Sequence, residues 1–537
     1  MEAAIRVETV EKAADPAAVR PKIQSLNPAT GEVLAEFDPA TDAEVGAAVA
    51  RAGQALGDWR RMGVRERAKY LLRLKEVLYD RREEIAALIT REAGKPLVEA
   101  MLTEVAVVLD ALGYFAQNAA SFLAPQSVPH HNLAMRLKHG RLEYEPYGII
   151  GIISPANYPF SIPFNEIIPA LVGGNTVVLK PSEFTPQVGL AIRDLVEKAQ
   201  LPPGVVTVLV GDGLTGRALA AAPIHKLMFT GSVATGKRVQ AAAAERLLPT
   251  VLELGGKDAM IVCADANLET ASSGAIWGAF TNAGQACLSV ERAYVVREVA
   301  ERFIALCIEK TKKLRVGRGD DPSTDVGPLI RDRQVRIVVE QVAEAASQGA
   351  EVRCGGRRLD LPGLPGLSGF FFEPTVITRV NHGMRLMREE TFGPVLPIMV
   401  VEDEAEAVRL ANDSDFGLSA SVWTADKNRG ERLAREIEAG AVMVNDCISY
   451  FGICEAPHGG VKASGIGRTH SRLGLMEMVR VKYLDVDLAP GIRKVWWYGY
   501  GPKAQRLAQG FTDSLFGRGF ARVRGLVRMV ASLGRKL

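Results

Sequence analysis

The sequence has little of what builds disulfide, metal or membrane-spanning proteins. Its six cysteines, at 263, 287, 307, 354, 447 and 454, form no C-x-x-C pair and no even ladder. That excludes a disulfide framework and favours a reducing, cytoplasmic setting. The seven histidines contain no H-E-x-x-H and no Cys/His cluster, so no metal site is expected. No apolar run reaches membrane-span length: the longest, 148–179, is broken by Pro155, Pro159, Pro163, Glu166 and Pro169. Residues 1–16 are of mixed charge without an apolar core, so no secretory signal is read there. No internal repeat occurs.

At 537 residues the chain is too long for one core, and two to three domains are expected. The net charge of +3 hides an asymmetry: residues 491–537 hold ten Lys/Arg against one acid, Asp513, a net +9. The other 490 residues therefore carry −6.

Stretches 43–57, 64–92 and 97–120 have helical spacing, as in Leu71, Leu74, Leu78 and Ile85, Leu88, Ile89. Strand-period alternation in 134–138 and 141–145 about His139-Gly140 predicts a charged β-hairpin, suited to a solvated or subunit-bridging arm. From Gly148, short β-rich runs (149–154, 176–179, 205–210, 226–229) alternate with helical stretches such as 185–199 and 214–222, predicting a parallel sheet covered by helices. A second alternating region follows Gly255-Gly256. Its strands are 259–262, 293–296, 374–377, 395–401, 420–423 and 441–444, and its helices start at Asn267 and cover 298–314, 404–412 and 429–439. The Pro/Gly-rich 355–369 reads as a surface loop.

Phe280 to Ser289 reads F-T-N-A-G-Q-A-C-L-S. Cys287 follows Ala283-Gly284-Gln285-Ala286, which lets backbone amides and a bulky ligand come close. A thiol so placed is a candidate nucleophile for carbonyl carbon; alone, it reads as an inert buried residue. Glu253-Leu254-Gly255-Gly256 and Ser154-Pro155-Ala156-Asn157-Tyr158-Pro159 supply a carboxylate and a side-chain amide, the other groups that thiol-dependent carbonyl chemistry needs. Gly211 to Gly216 matches G-x-G-x-x-G, but 220–244 holds no acid for a ribose, and a tight turn is an equal reading. Phe229 to Lys237 is a better nucleotide candidate: it opens a helix whose free amides could face a pyrophosphate, with Gly231 and Gly236 clearing the approach. Lys180-Pro181-Ser182-Glu183 offers an ammonium and a carboxylate to ribose hydroxyls, or an exposed salt-bridged loop. In Glu390-Thr391-Phe392-Gly393-Pro394 a strand would place Glu390 and Phe392 on one face, for a ribose and a nicotinamide.

In this order and at these spacings, the set resembles the NAD(P)-dependent aldehyde dehydrogenase superfamily. Asn445 and Gly459-Gly460-Val461-Lys462-Ala463-Ser464-Gly465 fit as well, and the resemblance runs from about Asn27 to about Asp487. It implies an α/β fold: a parallel-sheet NAD-binding domain (1–128 and 148–253), an α/β catalytic domain (254–470) and a β-hairpin oligomerisation arm (129–147 and 471–490), followed by a basic amphipathic extension (491–537). It further implies oxidation of an aldehyde to the acid. Cys287 would form a thiohemiacetal and then a thioester, Asn157 would hold the oxyanion with the Cys287 N–H, and Glu253 would activate water. Lys180 and Glu183 would meet the adenosine ribose. Gly231, Ser232 and Gly236 would lie near the phosphates and nicotinamide, with Glu390 and Phe392 at the nicotinamide ribose and ring. Glu183 would repel a 2′-phosphate, favouring NAD, with NADP as the alternative.

Ala156 replaces a common Trp, and His458 replaces the aromatic that often precedes the late Gly-Gly pair. His458 is placed beside the substrate tunnel with Tyr158, Ile162, Asn165, Leu288 and Phe451. This mostly apolar set points to medium-chain aliphatic or aromatic aldehydes as the small-molecule partner, and a homodimer or homotetramer is implied. In the tail, Trp496-Trp497-Tyr498-x-Tyr500 precedes a helical stretch, 511–537, with Phe516, Phe520, Val523, Val527 and Val530 on one face and arginines elsewhere. It reads as packing on the body or a second subunit, or as peripheral contact with an anionic membrane; nucleic-acid binding is not expected. Two alternatives stand beside aldehyde oxidation: a CoA-acylating enzyme, against which Glu253 speaks, and a membrane-associated binding protein on the same fold.

Overall fold

The computed structural model describes residues 20–132, 135–359, 369–492, 494 and 496–533. The N-terminal segment read for a signal, Ala134 of the expected hairpin, most of the 355–369 loop and residues 534–537 lie outside them. The chain divides into a large unit, up to Ala124 with Tyr144–Arg480, and a smaller one, Pro125–Glu143 with Val481 onward.

The large unit contains two sheets. The first has six strands in the order Gly465–Ile466, Thr250–Glu253, Lys226–Thr230, Ile149–Ile153, Thr176–Lys180 and Val206–Val208. All neighbours are parallel except the outermost pair, where Gly465 opposes Glu253. Ile149–Ile153 and Thr176–Lys180 are buried at every residue, the reason their sequence is apolar without alternation. The second sheet has seven strands: Glu351–Cys354, Thr375–Thr378, Val395–Val401, Val290–Val296, Asp258–Val262, Ser419–Trp423 and Ala441–Val444. Only its first pair is antiparallel. Because parallel strands run in one direction, the segments leaving their C-terminal ends collect on one side of each sheet, where ligand sites form.

Between the expected helices 64–92 the chain breaks at Arg81, giving Val64–Asp80 and Arg82–Ala93. Residues Ala100–Val105 widen into a π-helical turn before Ala106–Phe122, a distortion that recurs at functional sites. One helix of the second region, Asp332–Ser347, was not anticipated.

The smaller unit corrects two expectations. His139 and Gly140 form no turn: both lie inside one strand, Lys138–Pro146, which pairs with Gln126–Val128 on one side and Val479–Asp487 on the other. A side chain at Gly140 would run into the Tyr483 ring at 2.9 Å, so the glycine marks a close approach within a strand. Residues Ser471–Met476, assigned to the arm, are a helix of the large unit, with Leu475 in its core. The tail is two helices, Pro502–Phe516 and Phe520–Leu533, because Gly517-Arg518-Gly519 interrupts the helical run. Gly510 and Gly525 let the two helices meet backbone to backbone.

Candidate active site

Cys287 sits at the end of a strained turn. Asn282, Ala283 and Gly284 all have left-handed backbones, with φ of 51°, 55° and 73°, costly for residues that carry a Cβ. Gly284 is obligatory, since a Cβ there would collide with the carbonyl of Gly393. The strain is held by bonds from four segments. Glu99 accepts from the Thr281 hydroxyl and the Asn282 N–H, both at 2.9 Å. Gln285 accepts the Ile330 N–H at 2.9 Å and donates to Asn282 O at 3.0 Å.

Asn157, in the loop after Ile149–Ile153, faces that turn. Its Nδ2 donates one proton to Gln285 O at 3.0 Å, leaving the second N–H to be aimed elsewhere. Its carbonyl accepts from Asn282 Nδ2 at 2.9 Å and from Lys95 Nζ at 2.7 Å. Lys95 pairs with Glu104 at 2.6 Å, both side chains fully buried. The other Glu104 oxygen accepts the N–H groups of Phe160 and Ser161 at 2.9 Å, satisfying donors at the start of the buried helix Ser161–Gly173.

Glu253 closes the strand Thr250–Glu253. It is 4% exposed and neither carboxyl oxygen has a hydrogen-bond partner. Burial, reinforced by Glu166, holds its carboxyl well above the usual range. Glu166 is pushed up to about 8 by burial, with a 3.3 Å bond from the Thr230 hydroxyl opposing it. Burial and then Asp258, Glu390 and Glu253 raise the Cys287 thiol.

Cys287 opens onto a cavity of about 690 Å³ whose wall includes Leu102, Thr103, Val107, Tyr158, Ile162, Trp277, Leu288, Ile448 and Phe451. Tyr158, Ile162, Leu288 and Phe451 were expected there. Asn165 and His458 do not line it; His458 instead packs edge-on against Phe451 and lies 3.7 Å from Glu253. Leu102 and Thr103 come from the π-helical turn, which no sequence period announces.

The candidate cofactor residues lie mostly at the C-terminal ends of the first sheet. Lys180, 4% exposed, bonds Glu183 at 3.2 Å. Gly231 and Ser232 lead into the helix Val233–Ala244, which contains Gly236, and the Ser232 hydroxyl caps it by accepting the Thr235 N–H at 3.4 Å. Glu390 accepts the Gly256 N–H at 3.2 Å, and burial pushes its carboxyl up to about 8. Residues 390–392 form no strand, so the expected shared face fails: Phe392 has a left-handed φ of 50°, fixed by Glu291, which accepts the Thr391 and Phe392 N–H groups at 2.8 and 2.9 Å. Lys257 neutralises Glu291 at 2.5 Å, and Gln334 braces Thr391 O at 2.8 Å.

A family model described as the aldehyde dehydrogenase family matches residues 15–484. The chain belongs to the aldehyde dehydrogenase family. A 4,4′-diapolycopene aldehyde oxidase of Methylomonas sp. is 39% identical over 503 residues, covering 94% of this chain and 93% of that protein. A betaine aldehyde dehydrogenase of Cereibacter sphaeroides is 38% identical over 471 residues, covering 87% and 94%. Among solved structures, the NAD⁺ complex of the Bacillus cereus aldehyde dehydrogenase aligns with a TM-score of 0.83 at 33% identity, over 87% of this chain and 94% of that one.

The enzyme is an NAD(P)-dependent oxidoreductase that oxidises an aldehyde to the acid, and its residues fit that cofactor. Side chains at Gly231 or Gly236 would strike Phe229 at 2.7 Å or Leu254 at 2.5 Å, so the backbone at this helix start stays bare for a pyrophosphate. Lys180 and Glu183 together offer a cation and an acceptor suited to vicinal hydroxyls. Sequence reasoning missed Lys95, Glu99, Glu104, Lys257 and Glu291, which hold the aldehyde dehydrogenase site without any motif of their own.

The Lys95 network generates a test. Lys95→Met leaves Glu104 buried without its cation and should cost about 3–5 kcal/mol, read as a lowered unfolding temperature. Lys95→Met/Glu104→Leu should recover part of that stability but little activity, since Asn157 stays unanchored.

Proposed function

We propose that this aldehyde dehydrogenase oxidises apolar aldehydes, medium-chain aliphatic or aromatic, through a covalent intermediate on Cys287. The observation that carries this reading is the cavity: Cys287 opens into it, and none of the described residues lining it is charged. A semialdehyde ending in a carboxylate would find no cation there, whereas an alkyl or aryl chain buries apolar surface at about 25 cal/mol per Å². The Methylomonas relative, named for diapolycopene aldehyde, agrees with such a preference.

In this reading Cys287 Sγ bonds the aldehyde carbon, and the carbonyl electron pair moves to oxygen. The free N–H of Asn157 and the Cys287 backbone N–H stabilise that oxyanion, a contribution of several kcal/mol in a dry site. NAD(P), held by Lys180, Glu183, Gly231, Ser232, Gly236, Glu390 and Phe392, supplies the hydride acceptor that leaves a thioester on Cys287. Glu253 then takes a proton from water as the water oxygen attacks the thioester carbon. The C–S bond breaks, the acid leaves and the thiol is restored. The isolated Glu253 carboxyl favours this over the CoA-acylating alternative, in which no base for water is needed. Because its folded value lies above the ordinary range, the hydrolytic rate rises with pH as Glu253 ionises. Glu183 favours NAD over NADP by opposing a 2′-phosphate.

We further infer a homodimer or homotetramer, built through the arm, where Val481, Tyr483, Val486 and Leu488 are exposed. The extension is inferred to lie on an anionic membrane surface. Phe520, Val523, Val527 and Val530 are 58–86% exposed on one face of the helix Phe520–Leu533, Trp496 and Trp497 are exposed ahead of it, and Arg522, Arg524 and Arg528 flank the stripe. Such a face suits the lipid interface. No helix among the described residues is long and apolar enough to cross a membrane, so the contact is in-plane.

Three outcomes test these readings. Cys287→Ala should abolish NADH formation from hexanal. Glu253→Gln should keep one burst of NADH per active site and lose steady turnover, without rescue by CoA; turnover appearing only with CoA would move the enzyme to the acylating class. Glu183→Ser should raise kcat/KM for NADP relative to NAD about tenfold or more, the equivalent of about 1.4 kcal/mol, and an unchanged ratio would remove Glu183 from cofactor choice. The full chain should sediment with phosphatidylglycerol vesicles, less so at high salt, and lose binding on Phe520→Glu/Val527→Glu. Altered oligomeric state with unchanged vesicle binding would assign that face to a second copy instead.

A further inference from the structure

Three groups behind the cavity wall form a line that the reaction as described does not use. His458 and Glu253 are each 4% exposed, and His458 Nε2 stands 3.7 Å from Glu253 Oε2. That is just beyond hydrogen-bond length, and a small rotation of the carboxyl closes it. At the other ring nitrogen, the Tyr450 hydroxyl meets Nδ1 at 2.9 Å. Tyr450 is buried, which holds its phenol well above the usual range, so it keeps its proton and donates it to Nδ1. The ring proton is thereby assigned to Nε2, on the side of Glu253. The imidazole is not free to turn. His458 exchanges backbone hydrogen bonds with Thr469 at 3.0 and 2.8 Å, and its ring packs on Phe451 at 5.2 Å and His470 at 5.6 Å.

Glu253 needs such a partner. Both its oxygens are buried and unpaired, and a carboxylate in that state is expensive. Of the charged groups that bear on it, Glu166 and Glu477 repel its negative form and Arg468 favours it. Arg468 directs Nη1 to the carbonyls of Gly460 and Gly467 at 3.0 and 2.6 Å. On the other side of the imidazole stand His470 and the same Arg468, which, with burial, keep His458 neutral.

We propose that His458 is a positioning residue for Glu253: its Nε2–H, oriented by Tyr450 at Nδ1, becomes the hydrogen-bond donor that stabilises the Glu253 carboxylate and aims it at water. No proton leaves the imidazole in this role. The water proton goes to Glu253, and the donor bond is present before that transfer and weakened after it. The inference rests on the water-activating role of Glu253 proposed above.

The experiment is stopped-flow and steady-state NADH formation across pH with the full chain, hexanal and NAD. His458→Phe should leave the first-turnover burst intact and shift the acid limb of steady turnover upward by about one pH unit, about a tenfold loss near neutrality that is regained at higher pH. His458→Gln, which keeps an N–H, should restore most of the wild-type limb, and Tyr450→Phe should give a smaller upward shift. Glu166→Gln, which removes a like charge, should move the limb downward and so identify it with Glu253. A His458→Phe enzyme slowed by one factor at every pH, or with an unmoved limb, would overturn the proposal. Undiminished steady turnover in Glu253→Gln would instead overturn the role of Glu253 on which it rests.

Discussion

The buried ion pair between Lys95 and Glu104 is the constraint on which the site depends. Two full charges without solvent contact are favourable only when every remaining donor and acceptor is used, and here they are spent on the catalytic loops. Lys95 gives a proton to Asn157 O while its ammonium lies 3.8 Å from the Tyr158 ring centroid; Glu104 takes the first amides of the helix that follows. Asn157 in turn accepts from Asn282 and donates to Gln285 O. A continuous set of bonds thus links the N-terminal helices of the chain to a thiol nearly two hundred residues later. It offsets the cost of three left-handed residues in succession, which local sequence alone would relax.

The buried carboxyls of this protein fall into two kinds, and the difference separates scaffold from chemistry. Glu92, Glu104 and Glu291 each accept two or more hydrogen bonds. Their energy is committed to holding segments together. Glu253 has no bond at all and Glu166 one weak one. A group left so poorly solvated is costly for stability, and such groups concentrate where protonation must change during a reaction. Their partners in that cost are glycines and apolar side chains, not counter-ions.

The two sheets were legible in the sequence because fully buried parallel strands leave an unmistakable trace: short β-branched runs such as Ile149–Ile153 and Val395–Val401, separated by helices. Cys287, Glu253 and Asn157 were legible through the ordered motifs around them. Lys95 and Glu104 were not, because two charged residues in a helical stretch look like a solvated face until the third dimension buries them. Phe392 escaped for a related reason: its left-handed turn is imposed by Glu291, a hundred residues away, against its own strand preference. The arm was misread because alternation about His139-Gly140 fits a turn as well as it fits a continuous strand, and only Tyr483 across the sheet explains why glycine is there. The tail showed its apolar face but not its break at Gly517, since five apolar positions at helical spacing carry across a three-residue interruption.

Placing an apolar cavity against an unpaired carboxyl makes one physical choice serve two ends. A dry wall favours a hydrocarbon chain and keeps stray water from the thioester, but the same dryness penalises the anion that must later activate water. A fully solvated Glu253 would ionise readily and compete poorly for a single aligned water; a fully isolated one would stay protonated at neutral pH. A neutral imidazole just beyond bonding distance lies between these extremes. It adds no charge to a region already crowded with Glu166, Asp258 and Glu390, and offers its dipole only when the carboxylate forms. A lysine in its place would bring a charge that burial penalises, and a phenylalanine would bring nothing. Among side chains of this size, histidine is the one that can donate a hydrogen bond to the carboxylate while remaining uncharged, because Tyr450 holds its proton on the useful side.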